Sequence, residues 1–301
     1  MALTHEHSCT LPASSDVVFA ALTEPAQLTR WFAESVDVGD GAGAPFRFWG
    51  RHSLDTPSAE MATQRITRWE PGHALGFSWT IGDVETGVSI ALEAEGEGCK
   101  VRLRHEVPNA LPHRRERELI DDHWRLAFGN LAAHLAGGDG IALPDYSDPM
   151  PTVHHDLHID APVEVVFRAL TTPSAVNEWL GAKHTVIEPR VGGRYSVGWQ
   201  YTIDGRDVTG GPTRILEYTA NERLVLDWPD WRGDETVTGQ TICFTLEPAD
   251  RQTRLMFVHA GFGRAADISD YPFGWAWFLG QLRDVATRLA ATERSAPGSR
   301  Q

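Results

Sequence analysis

Val163, Val166, Phe167 and Leu170 fall at i, i+3, i+4 and i+7, the spacing of one buried helix face. Asp160 stands where an N-terminal cap is expected, and Pro162 suits a first helical turn. Pro173 breaks this helix and starts a second, short one ending at Trp179. A strand, "VHHDLHI" at 153–159, comes before the pair. After it the pattern changes to period two, predicting strands within 191–207 and at about 212–219, 223–229, 236–247 and 253–260. Asp204-Gly205 is a hairpin cue inside the first of these stretches. An apolar stripe of Trp275, Leu279, Leu282 and Ala286 predicts a closing helix over about 270–291.

The same succession occupies the first half of the chain. "VVFAALTEPAQLTRWF" at 17–32 matches "VVFRALTTPSAVNEWL" at 165–180, and residues 11–32 align with 159–180 without a gap. Ser14 takes the cap position, and 5–11 and 114–136 supply the opening strand and closing helix. Farther along, Arg65, Leu75 and Trp79 match Arg214, Leu224 and Trp228. His105 lies opposite His259, and Trp124 opposite Trp275. A repeat of this size is a duplicated domain. The order β-α-α-β-β-β-β-β-β-α predicts an α+β fold, an antiparallel sheet with a long helix packed across it. The expected organisation is a domain over 1–138, a Gly/Pro/Asp-rich linker over 139–152, a domain over 153–292 and a disordered tail over 293–301.

A formal charge of −14 argues against nucleic acid as a partner, since "HRRERE" at 113–118 is short and mixed in sign. Three cysteines without a CxxC pair predict no disulfide framework and a reducing, cytoplasmic setting. No signal-peptide pattern opens the sequence, and no apolar run is long enough to span a membrane.

"APVEVVFRALTTPSAVNEWLG", "EPRVGGRYSV", "GGPTRILEYTANERLVLDW", "FVHAGF" and "FGWAWFLGQL" resemble the START-like helix-grip superfamily. More narrowly, they resemble its family of heat-shock-chaperone ATPase activator homologues. The resemblance covers nearly all of 153–290 and, more weakly, 5–136. The first copy has "GDGAGAPFRFWG" where the second has its Gly-Gly turn, and "HEVPN" where the second has "HAGFG". The resemblance implies two tandem helix-grip domains, each a curved antiparallel sheet around a long C-terminal helix and an apolar cavity.

Eleven tryptophans supply the candidate chemistry. Tyr195, Trp199, Tyr201, Trp228, Trp275 and Trp277 are expected to line a pocket for a flat or apolar ligand. Parity places Tyr195, Val197, Trp199 and Tyr201 on one strand face. Tryptophans shared by the copies, such as Trp228 and Trp275, fit core filling. Trp199, Tyr201, Asp230-Trp231 and Trp277 are unique to the second copy and fit a pocket or surface. His105 and His259 alternate with apolar residues, so each could contact a ligand, act as acid or base, or bond a backbone carbonyl. His154, Asp156 and His158 share a strand face, yet nothing else in the sequence completes a metal site, and no cofactor motif appears. Asp121-Asp122 and Asp234-Glu235 read as exposed. The expected function is binding of a hydrophobic or aromatic small molecule, chiefly by the second domain. One alternative is a cyclase, dehydratase or hydrolase using His259 with Tyr195 or Tyr201 on a polyketide-like or other cyclic substrate. Another is an interaction protein that stimulates a chaperone ATPase.

Overall fold

The computed structural model describes residues 2–111, 116–141, 143–203, 205–231, 233, 237–263, 267–268 and 270–295. Asp204 of the hairpin cue, Asp234-Glu235, 113–115 of "HRRERE" and 296–301 of the tail lie outside the described residues. The chain divides into two compact units: residues up to 149, with which 270–273 at the start of the last helix are grouped, and the remainder from 150 onward.

The first unit runs β1 (Leu3–Leu11), α1 (Ser15–Thr23), α2 (Pro25–Trp31), β2 (Ser35–Val38), β3 (Phe46–Trp49), β4 (Ile66–Glu70), β5 (Ala74–Ile81), β6 (Val84–Glu95), β7 (Gly98–Val107) and α3 (Glu116–Leu135). Five antiparallel strands form a sheet in the order β1-β7-β6-β5-β4. The β2-β3 pair joins it through a bridge between Pro45 and Arg65. Along β7, Cys99, Val101, Leu103, His105 and Val107 are buried, while Arg102, Arg104 and Glu106 face out. The buried row meets Trp124, Phe128 and Leu131 of α3 in one core.

The second unit repeats the plan with β8 (Val153–Ile159), α4 (Val163–Thr171), α5 (Pro173–Trp179), β9 (Val186–Ile187), β10 (Tyr195–Ser196), β11 (Trp199–Ile203), β12 (Arg206–Gly210), β13 (Ile215–Thr219), β14 (Arg223–Asp227), β15 (Thr241–Ala249), β16 (Gln252–Ala260) and α6 (Tyr271–Ser295). Its sheet order, β8-β16-β15-β14-β13, is that of the first unit. Both units are helix-grip domains of the α+β class.

Three local expectations need correction. The stretch after Tyr195 is not one strand: Gly198 has φ 71° and separates β10 from β11. A Cβ on Gly198 would lie 2.9 Å from that of His184, so glycine is required on both counts. The parity that put Tyr195 on the face of Trp199 and Tyr201 is therefore lost. Asp160 does not cap α4; Pro162 is the N-cap residue and no side chain bonds the first turn. Ser14 does cap α1, accepting from the Val17 N–H at 3.4 Å. Asp122 is buried, not exposed as expected, while Asp121 keeps a 43% exposed side chain and pairs with His5 of β1.

The repeated phrase has a hydrogen-bonding reason. In α1 the carbonyl of Ala21 would bond the N–H four residues on, but that residue is Pro25. The indole of Trp31 supplies the missing donor, Nε1 to Ala21 O at 3.0 Å. In the second unit Pro173 leaves the Ala169 carbonyl open, and Trp179 donates to it at 3.2 Å. Alanine, proline and tryptophan recur together because the break made by one is sealed by another. Within the segment expected as a linker, the Tyr146 N–H donates to Arg51 O at 2.8 Å. Ile141 exchanges bonds with the Asn130 side chain at 2.8 and 2.7 Å.

Replacing Trp179 by Phe keeps the ring but strands the buried Ala169 carbonyl. The expected loss is about 1–3 kcal/mol of unfolding free energy, measured by urea denaturation. An unchanged midpoint would show that the carbonyl finds another donor.

Candidate functional site

In the second unit, α6 and the sheet meet through a chain of side-chain hydrogen bonds. Trp275, near the start of α6, donates from Nε1 to Nδ1 of His259 on β16 at 3.0 Å. An indole nitrogen can only donate, so Nδ1 must be the bare acceptor and the proton sits on Nε2. That Nε2–H then donates to Oε1 of Gln240 at 3.2 Å. The amide orientation follows, because only its oxygen can accept, and the Gln240 NH2 group is turned away from the imidazole. Gln240 is 2% exposed, and its Nε2 is buried without a hydrogen-bond partner among the described residues.

The first unit has the same beginning and a different end. Trp124 Nε1 donates to His105 Nδ1 at 3.0 Å, and His105 Nε2 bonds Thr86 Oγ1 at 2.8 Å. The Thr86 hydroxyl passes its own proton to the backbone carbonyl of Trp79 at 2.6 Å. A hydroxyl both accepts and donates, so this chain closes on the backbone. In the second unit the glutamine instead leaves a donor over.

Gln240 lies in the wall of a cleft of about 620 Å3. The cleft is lined by residues of β12, by Arg214 and Leu216 at β13, by the ends of β14 and β15 and by described residues between those two strands, with Trp228 and Pro229 among its apolar lining. Asp227 in its wall accepts from the backbone N–H groups of Thr213 and Arg214 at 2.8 and 2.7 Å.

The expected site residues separate into groups. Trp228 lines the cleft. Trp199, His259 and Trp275 pack behind it, with ring centroids 6.4, 5.8 and 4.9 Å from Trp228. Phe278, not picked out from sequence, stacks on Trp199 at 5.7 Å. The fully buried Tyr195 hydroxyl donates to Leu170 O at 2.8 Å, and burial raises its pKa. The Tyr201 hydroxyl donates to Trp231 O at 2.7 Å. Trp277 is 56% exposed and touches Phe278. His105 belongs to the first unit's relay. Each histidine accepts from an indole through Nδ1. On the outer face of β8, Asp156 is held by Arg254, with Nε at 3.0 Å, and no group of possible metal ligands occurs among the described residues.

Burial also keeps these histidines neutral near pH 7. It lowers the His259 pKa to about 3. His105 is likewise lowered to about 3, by burial first and then by His123 and His5. His123 of α3 is lowered to about 4, again chiefly by burial.

These paired units with the same closing-helix tryptophan on the same strand histidine are matched by one family model. Described as "Activator of Hsp90 ATPase homolog 1-like protein", it covers residues 12–136 and again 160–287. The chain belongs to this family. No curated protein matches it. Among solved structures, DynU16, a protein in the dynemicin biosynthetic locus, is 18% identical, with 96% of each chain covered and a TM-score of 0.38. CalU16 from Micromonospora echinospora is 23% identical over 45% of this chain and 77% of its own, with a TM-score of 0.37. The Aha1 dimer from Colwellia psychrerythraea is 23% identical over 45% of this chain and 96% of its own, at 0.36. Within this activator-homologue chain, the family model matches both units, while Thr86 and Gln240 set their polar interiors apart.

The buried histidines give a stability profile with a definite sign. Below about pH 6.5 the unfolded chain takes up protons that folded His105, His123 and His259 refuse until about pH 3–4. Stability is therefore full above about pH 6.5 and falls with acidification, by up to about 1.4 kcal/mol per pH unit for each histidine. Urea midpoints should drop between about pH 7.5 and 5; a flat profile there would contradict neutral burial.

Proposed function

We propose that the second unit is a small-molecule binding module, with its ligand in the cleft lined by Trp228 and Gln240. One observation carries this reading: the Gln240 amide is held by His259 on one side and leaves a buried donor on the other. A buried amide N–H without a partner costs on the order of 1–3 kcal/mol, so a small side-chain shift that brings it to a ligand oxygen in the cleft would recover that bond. The cleft volume of about 620 Å3 suits a molecule of two or three rings. Trp228 offers an aromatic surface, and Trp199, Trp275 and Phe278 hold it in place.

The cyclase-type reading gains no support from its proposed acid–base pair. His259 accepts from Trp275 and donates toward Gln240, and with a pKa of about 3 it stays neutral across the physiological range. The Tyr195 proton is committed to a backbone carbonyl. Recognition of a carbonyl-bearing aromatic molecule, without turnover at these groups, is the function this geometry favours.

Calorimetric titration with 2-acetylnaphthalene and 2-ethylnaphthalene tests the reading. These probes share a ring system and differ in the acceptor. The ketone should bind saturably and about tenfold more tightly, and Gln240→Leu should erase that preference while the ethyl probe still binds. Equal affinities in the unaltered protein would overturn the role of Gln240, and saturable binding of neither would overturn the module.

A further inference from the structure

Around the mouth of the same cleft, the charged groups are unequally engaged. Asp227 already holds two backbone N–H groups and the Thr213 hydroxyl. Asp207 accepts from Thr202 Oγ1 at 3.0 Å, and Asp230 is buried and partnered. Arg206 and Arg214 line the cleft too, but their guanidinium groups make no ion pair or hydrogen bond among the described residues.

A hollow of the first unit behaves differently. In the first unit a groove of about 380 Å3 is lined by Arg68, Arg102 and Arg104. There Arg68 pairs with Glu70, Arg102 with Glu93, and Arg104 with both Glu6 and Glu106. The repeat sharpens the contrast at one position. Arg65, the counterpart of Arg214, spends a guanidinium nitrogen on the Gly43 carbonyl at 3.3 Å. Arg214 keeps a backbone bond like that of Arg65, taking Asp227 where Arg65 takes Ser78, and leaves its guanidinium open.

We propose that the ligand of the second unit is an organic anion: an aromatic carboxylic acid, or an acid of similar size, with a carbonyl at its inner end. The inference rests on the binding reading above and adds the charge. Gln240 donates to the inner carbonyl, Trp228 lies along the ring, and Arg206 with Arg214 receives the carboxylate at the mouth. The open amide and the two open guanidinium groups are all donors, so the molecule that completes them is rich in acceptors. Planar guanidinium groups suit a carboxylate because two N–H bonds can meet its two oxygens. Because the arginines are exposed, their contribution is modest and sensitive to salt.

The test compares 6-acetyl-2-naphthoate with its methyl ester by calorimetry on the full chain. The acid should bind about five- to tenfold more tightly at low ionic strength, with the advantage shrinking as salt is added. In Arg206→Gln/Arg214→Gln the acid should fall to the affinity of the ester, while the ester's own affinity is unchanged. Circular dichroism and the urea midpoint confirm that this double variant folds. If the ester binds as tightly as the acid to the unaltered protein, the anion inference is wrong and the binding reading stands. If neither binds saturably, both are wrong. An acid preference that survives in the double variant would place the carboxylate elsewhere and overturn the role of these arginines.

Discussion

A single buried hydrogen bond in each unit, from a tryptophan on the closing helix to a histidine on the adjoining strand, sets much of what surrounds it. In the second unit Trp275 gives its only polar hydrogen to His259, and that fixes the imidazole tautomer. The tautomer decides that His259 donates toward β15, the donation decides how Gln240 turns, and the turned amide faces away with a proton to give. Each step follows from which atoms can donate. Desolvation holds the arrangement in place, since an imidazolium could not accept from the indole and would be a charge in an apolar core. The bond also ties helix to sheet at the aromatic cluster of Trp228, Phe257 and Phe278.

Duplication gave the two units the same problem and left them different solutions. Both break a helix with proline and seal it with tryptophan, and both seat the long helix on histidine. They part where the relay reaches the neighbouring strand. Threonine can accept and donate at one oxygen, so the first unit returns the last proton to its own backbone. Glutamine separates acceptor from donor by the width of an amide, so the second unit keeps a buried donor with no partner among the described residues, in a residue that lines a cleft. The first unit spends polar groups elsewhere in its core: His123 bonds Tyr146, and Gln64 reaches the Phe48 carbonyl, where the second unit has Gly274 and Thr213 at the aligned positions. A family model that matches both units therefore does not make them equivalent in chemistry.

The candidate site is partly legible in the sequence. Of the residues singled out in the second copy, Trp228, Trp199, His259 and Trp275 come together beside the proposed cleft. The rule that shared residues are scaffold places Trp275 correctly and understates Trp228, which serves both core and cleft. Gln240 gives no signal of its own. It belongs to no motif, and more residues separate β14 from β15 than separate β5 from β6, so its correspondence with Thr86 shows only when the hydrogen bonds are compared. Tyr195 and Tyr201 depart from expectation for a related reason. Their hydroxyls are used up on backbone carbonyls of distant segments, which side-chain type and spacing do not reveal.

By itself, the sequence determined the duplication, the order of helices and strands, the paired breaks at Pro25 and Pro173, and the burial of alternate residues along β7 and β16. These are properties of short segments, governed by periodicity and by the missing N–H of proline. Only the tertiary structure decided which polar groups were left over. Whether Gln240, Arg214 or His259 has a free donor depends on partners supplied by strands and helices far away along the chain. A hydrogen bond forms between atoms that meet in space, and the chain's order says only which atoms are available to meet.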